Sequence, residues 1–265
     1  MSTEMLESAK VVSRDEWLAA RKELLAQEKQ LTRQRDAVSA ARRALPWVRV
    51  DKEYVFDTAQ GKRTLADLFD GRSQLIIYHF MWRHDLGNGC TGCSFLADHV
   101  DGANLHLSHH DVSFVAVSRA PLAALEAYKQ RMGWRFPWVS AVDSDFNFDY
   151  HVSFKPEELA SGEVVYNFGI IKASIDELSG ISVFYRSPEG EIFHTYSCYG
   201  RGGEEVLGAY MYLDLTPKGR NETGRGNMGD WVRPHDLYDA GGWVDPMGGY
   251  RTAPGSQAEC GCHET

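Results

Sequence analysis

Cys90 and Cys93 stand with two residues between them in the stretch Asn88-Gly89-Cys90-Thr91-Gly92-Cys93-Ser94-Phe95. Just upstream lies the most apolar run of the chain, Leu75-Ile76-Ile77-Tyr78-His79-Phe80-Met81-Trp82. Just downstream, Ser94 to Val100 has helical spacing. The pattern predicts a buried strand, a short loop and a C-x-x-C delivered to the start of a helix. That placement suits dithiol–disulfide chemistry. The first Cys meets unpaired backbone N–H groups and the positive end of the helix dipole, and both favour the reactive thiolate. The second sits one turn on and can attack a mixed disulfide formed by the first. Cys90 is therefore the expected nucleophile and Cys93 the resolving thiol, with Thr91 and Gly92 setting the spacing and letting substrate approach. Two other uses compete. Half of a zinc site needs two more ligands at a matched spacing, and the chain has no second C-x-x-C. Inert buried cysteines are common, but the flanking glycines open the backbone here.

Further thiols and imidazoles could join the pair. His84 lies on the loop entering the motif, His99 two turns down the following helix, and His194 four residues from Cys198. A soft metal, copper or zinc, held by Cys90 and Cys93 with a His or with the terminal Cys260-Gly261-Cys262-His263, is the alternative to redox chemistry. The tail could also be a second dithiol passing electrons to the first, or carry no role. Taken singly, each His reads as a surface or satisfied core residue. His79, alternating with buried neighbours, reads as a hydrogen-bonded core residue, and Cys198 as a small hydrophobe. No peroxiredoxin Pro-x-x-x-Thr-x-x-Cys, phosphate loop or Gly-x-Ser-x-Gly occurs. The acidic stretch Asp143 to Asp149 lacks EF-hand spacing.

The bulk composition narrows the setting. With 265 residues and 43% hydrophobic content, the chain can build one sizeable core. A net charge of −9 disfavours nucleic acid and anionic membranes as partners. Met1 to Met5 shows no secretory n-region or h-region, and no apolar run approaches a membrane span. Five cysteines do not form a secreted disulfide framework. A reducing cytoplasm is the expected location, where a Cys90–Cys93 disulfide is transient and needs no cofactor. The expected substrate is a disulfide-containing protein or a small thiol or disulfide.

The elements that position the dithiol follow from the pattern. Ser13 and Glu16 form a capping box that opens a helix running to about Ala44. Trp17, Leu24, Leu31 and Val38 fall seven apart on it, a stripe that either straps across its own domain or forms a dimer seam. Strands are predicted at 48–56, 75–82 and 113–118. A helical turn is predicted at 64–69, and a helix capped by Ser118 with Pro121 in its first turn. Residues 155–180 read as an insertion. Residues 181–186 and 191–197 make a hairpin across Ser187-Pro188-Glu189-Gly190. A last helix is predicted at about 203–213. This divides the chain into an N-terminal helical arm (1–47), a core domain (48–216) and an irregular C-terminal arm and tail (217–265). Parallel βαβ, then an antiparallel hairpin, then a helix is the order of an α/β thioredoxin-like fold, a central mixed sheet flanked by helices.

The sequence also resembles the DUF899 family. Matching stretches are Arg42 to Val48, Tyr78-His79-Phe80-Met81, Gly89 to Phe95, Val117 to Leu122, Arg131-Met132-Gly133-Trp134, Ser144-Asp145-Phe146-Asn147, Phe193 to Ser197, and Leu213 to Arg220. The resemblance covers roughly residues 11–238. The resemblance implies a thioredoxin-like fold and a dithiol–disulfide oxidoreductase with Cys90 and Cys93 as the redox pair. Two places depart from thioredoxins. The cis-proline that would face the dithiol is replaced by Gly180-Ile181-Ser182, so Ile181 and Ser182 are expected to take the substrate contacts. This weighs against ordinary protein-disulfide reduction. The aromatic residue before the first Cys is replaced by Gly89.

Overall fold

In the computed structural model, residues 9–220 and 231–252 are described. The chain divides into two units, 1–46 and 47–265. The first is essentially one helix, α1 (Arg14–Arg43). Its capping box forms as the sequence requires: Glu16 N–H donates to Ser13 Oγ, and the Glu16 carboxylate accepts from Ser13 N–H. No residue of α1 is buried, and the stripe of Trp17, Leu24, Leu31 and Val38 is 44–56% exposed.

The second unit opens with β1 (Val48–Arg49), β2 (Val55–Thr58) and β3 (Gly61–Thr64). The predicted strand at 48–56 is thus two short ones, and the predicted helical turn narrows to a 3-10 turn at Asp67–Phe69. Then come β4 (Gln74–His79), a small β5 (Trp82–Arg83) and β6 (Asn88–Gly89) hairpin, and helices α2 (Thr91–Ala97) and α3 (Val100–Ser108). β7 (Val112–Ser118), α4 (Leu122–Arg131) and β8 (Trp138–Ser140) follow. Pro121, not Ser118, is the N-cap of α4. Ser118 is fully buried and donates instead to the Phe80 carbonyl at 2.6 Å. The short α5 (Phe146–Asp149) precedes the insertion. That segment is more ordered than its sequence suggests: it holds α6 (Pro156–Ser161) and a hairpin of β9 (Val164–Tyr166) and β10 (Gly169–Ile171). β11 (Gly180–Arg186) and β12 (Ile192–Tyr199) form the predicted antiparallel hairpin. The last predicted helix is a 3-10 segment, Gly200–Val206, running into α7 (Gly208–Leu213). The C-terminal arm adds a two-stranded hairpin, β13 (Trp243–Val244) and β14 (Tyr250–Arg251).

One eight-stranded mixed sheet runs β1-β12-β11-β4-β7-β8-β2-β3. At its centre β4 and β7 are parallel, while β11 is antiparallel to both β4 and β12. The order β12-β11-β4-β7, with helices between the parallel strands, is the thioredoxin arrangement. Every residue of β7 is buried, as a central parallel strand covered on both faces requires. Strand alternation then sorts the core into two clusters. Tyr78, Phe114 and Ala116 pack on one face with the cysteines and α2, whereas Leu75, Ile77, Val115 and Val117 pack on the other with Phe146 and Phe184.

Candidate active site

The end of β4 carries the chain through Phe80 and Met81 to the β5–β6 hairpin, which returns it to the first turn of α2. Cys90 is the N-cap of α2, in extended conformation, and its N–H donates to the Met81 carbonyl at 3.1 Å. Its own carbonyl accepts from Ser94 N–H and Ser94 Oγ, both at 2.9 Å. Cys93 lies one turn on, with Sγ 3.4 Å from Met81 N–H. Both thiols are reduced and buried, Cys90 6% and Cys93 2% exposed. Gly89 has a packing reason: an added Cβ would sit 2.9 Å from the Phe80 ring and 3.0 Å from that of Tyr128. A larger residue before Cys90 has no room there.

The two thiols differ in acidity. The Cys93 thiol donates to Cys90, and this together with N–H donation from Cys93 and Gly92 outweighs burial, lowering Cys90 to about 7. The Arg83 charge adds to the effect. Cys93 moves the other way. Burial, then the hydrogen bond and charge of Cys90, push it well above an ordinary thiol, while Tyr78 Oη and Met81 N–H stabilise its anion in part. Tyr78 itself is held far above its usual value by burial and by Cys93, so it keeps its proton. Nothing in the spacing of the sequence marked Tyr78. The alternation of β4 does, because it points Tyr78 to the cysteine face.

Three parts of the chain build the surroundings. A cavity of about 690 Å³ opens onto the dithiol. The insertion contributes Ile175 and Leu178 to its wall, β11 contributes Ile181, and the C-terminal arm contributes Met247 and Gly248. Thr91 and Gly92 line it too, so they lie where the sequence placed them. Ser182 does not. It follows Ile181 on β11, so it faces the opposite side of the sheet, where it is fully buried and hydrogen-bonds to His79 Nε2 at 2.9 Å and Ser197 Oγ at 2.8 Å. The expectation that it contacts substrate is corrected on that ground. His79 is the satisfied core residue expected, its second nitrogen 3.1 Å from Asn147 Oδ1; burial lowers it to about 4, so it stays neutral.

The C-terminal arm forms the roof. Gly248 O accepts from Thr91 N–H at 2.8 Å, and an added Cβ at Gly248 would sit 2.8 Å from Cys90 Sγ. Its φ of +80° independently favours glycine. The turn is fixed by buried Asp245, which accepts from Met247 N–H and Gly249 N–H, both at 2.9 Å, and takes both terminal nitrogens of Arg83, at 2.8 and 3.1 Å. Arg83 also grips Asp85 at 2.9 Å. Burial opposes the charge on Asp245, but Arg83 and the Gly249 amide prevail and hold it far below the usual carboxylate range. On the other side, buried Glu177 accepts from Trp82 N–H at 2.9 Å and fastens the insertion to the segment that leads to Cys90. Arg83, Asp245 and Glu177 were not singled out by the sequence, since each acts across more than ninety residues.

Among the described residues no group of three His, Cys, Asp or Glu side chains is placed to hold a metal. His84 pairs with Glu177 at 3.5 Å, and His99 accepts from Ala209 N–H at 3.0 Å through Nε2. His194 bonds Ser197 Oγ at 2.7 Å. Cys260, Cys262 and His263 lie outside the described residues.

This is a thioredoxin-like protein with two thiols at the start of the helix that follows its first core strand. The chain matches the family model described as "Bacterial protein of unknown function (DUF899)" over residues 6–238, and it belongs to that family. No curated protein matches it in sequence. Solved structures similar to it include Xanthomonas campestris peroxiredoxin Q, 16% identical with a TM-score of 0.39 over 60% of this chain and 89% of that one. Mycobacterium tuberculosis peroxidoxin BcpB is 10% identical, with a TM-score of 0.39 over 61% of this chain and 94% of that one. A Xylella fastidiosa PrxQ mutant is 14% identical, with a TM-score of 0.39 over 61% and 89%.

Proposed function

We propose that this protein is a thiol–disulfide oxidoreductase in which Cys90 attacks and Cys93 resolves. The observation that carries the reading is geometric: Cys90 is the N-cap of α2, Cys93 lies one turn on, and both border the cavity. In keeping with it, the Cys93 thiol lowers Cys90 to about 7 while burial raises Cys93. At neutral pH Cys90 is then substantially thiolate, and the thiolate is the nucleophile. It attacks one sulfur of a disulfide, forms a mixed disulfide and releases the other sulfur as a thiol. Cys93 then loses its proton, with Tyr78 Oη donating to the forming anion, and displaces the second thiol. The protein ends with a Cys90–Cys93 disulfide and the substrate with two added electrons. The proposed setting is a reducing cytoplasm, where the cellular thiol pool restores the dithiol. Among the described residues no helix is long and apolar enough to cross a membrane.

Cys93→Ser tests the order of attack. It is expected to accumulate mixed disulfides through Cys90, because the resolving step is gone. Mass spectrometry showing no adduct on Cys90 in this variant, or no Cys90–Cys93 disulfide in the unmodified protein under mild oxidant, would sink the mechanism.

A further inference from the structure

The dithiol reading leaves the substrate open, and the surroundings of Cys90 narrow it. We infer that the substrate is a low-molecular-weight apolar disulfide that enters the cavity beside the dithiol, and that folded proteins are kept out; this rests on the redox reading above.

Size comes first. The cavity of about 690 Å³ lies within the ~300–1,000 Å³ typical of small-molecule sites. Its wall is largely apolar, built from Leu96, Ile175, Leu178, Ile181, Leu207 and Val232. Peptide groups flanking a protein disulfide would be buried there without hydrogen-bond partners, which is unfavourable. Hydrocarbon flanking a small disulfide would be buried favourably.

Access comes second. Gly248 stands over Cys90 with no space for even one added carbon, and its carbonyl already occupies the Thr91 N–H. A peptide chain seeking that amide must lift the arm, which the buried Arg83–Asp245 pair holds in place. The lining also carries Lys172, Arg201 and Glu204, and beside Cys90 one polar atom is left unmatched. Thr91 Oγ1 is buried without a hydrogen-bond partner among the described residues, on a residue that lines the cavity next to Cys90. It can donate to a sulfur of the substrate as that sulfur becomes a thiolate.

The electron count is that of ordinary exchange. The substrate S–S bond breaks, a Cys90–substrate S–S bond forms and then gives way to the Cys90–Cys93 bond. Both substrate sulfurs leave as thiols. The dithiol loses two electrons and the substrate gains them; a low-molecular-weight thiol or dithiol reductant returns them to the protein.

The experiment offers the reduced full-length protein three oxidants: lipoamide, a small apolar disulfide; cystine, small but charged; and insulin. Formation of the Cys90–Cys93 disulfide is followed by quenched alkylation and mass spectrometry. Each rate is divided by the rate of the same oxidant with free dithiothreitol, which removes intrinsic reactivity. The normalised rate for lipoamide is expected to exceed those for cystine and insulin at least tenfold. Equal normalised rates would overturn the substrate class while leaving the dithiol reading standing. No Cys90–Cys93 disulfide with any of the three would overturn both. Ala173→Trp, on the cavity wall, is expected to cut the lipoamide rate tenfold while iodoacetamide labelling of Cys90 stays within twofold. An unchanged lipoamide rate in that variant would show that the substrate does not sit in this cavity.

Discussion

Cys90 owes its acidity first to Cys93, not to the helix. The thiol of Cys93 is the largest contributor, the amides of Cys93 and Gly92 come after burial, and Arg83 acts at longer range. This has a direct pH consequence. Because the thiolate is the nucleophile, alkylation of Cys90 should rise with pH, reach half its maximum near pH 7 and level off above. An ordinary thiol has its midpoint near ~8.5. Rate measurements from pH 5 to 10 decide it, and a midpoint at the ordinary value would remove the basis of the assigned order. In the proposed mechanism Tyr78 acts on the other half of the reaction. Removing its hydroxyl in Tyr78→Phe deletes a hydrogen bond to the Cys93 anion. A hydrogen bond to a charged group contributes about 1.5–3 kcal/mol, so the resolving step should slow roughly tenfold or more. The first attack, by Cys90, should change little. Stopped-flow traces would then show the mixed disulfide accumulating; equal slowing of both phases would assign Tyr78 a packing role only.

At the scale of elements, two segments outside the thioredoxin core complete the site. The insertion is fastened through Glu177 to the backbone of Trp82, and the C-terminal arm through Asp245 to Arg83. The second latch is a buried pair, and breaking such a pair by removing one partner costs about 3–5 kcal/mol. Asp245→Ala should therefore lower the unfolding free energy by about 3 kcal/mol, since Asp85 still partners Arg83. It should also free the roof. The Thr91 amide, bonded to Gly248 O in the intact protein, should exchange with solvent at least tenfold faster. Hydrogen exchange read at Thr91 checks this, and unchanged protection would mean that the arm is held by other contacts.

For the whole molecule, the long helix α1 carries a stripe of apolar residues that stays uncovered. Its Trp17, Leu24, Leu31 and Val38 are each about half exposed. Leu24→Asp should accordingly change the stability of the isolated chain by no more than about 0.5 kcal/mol, as surface substitutions do. Denaturant unfolding at low protein concentration measures it. A loss of 1–3 kcal/mol would mean that the stripe is covered in solution.

What the sequence determined by itself is local and periodic. The capping box of Ser13 and Glu16, the apolar run of β4, the alternation through β11 and β12, and the C-x-x-C at a helix start all follow from spacings of two to four residues. Their order is that of a thioredoxin-like sheet, and the pairings of β4 with β7 and β11 follow it. The cap of α4 was misread because Ser118 and Pro121 are both good helix-start residues, and burial of Ser118 under Phe80 decided between them. Strand parity, which the sequence does contain, would have separated Ile181 from Ser182. The tertiary structure alone decided what surrounds the dithiol. Gly248 meets Cys90, and Asp245 meets Arg83, across more than 150 residues of chain. Such contacts depend on where an irregular arm returns to the sheet, and no local propensity or period encodes that return.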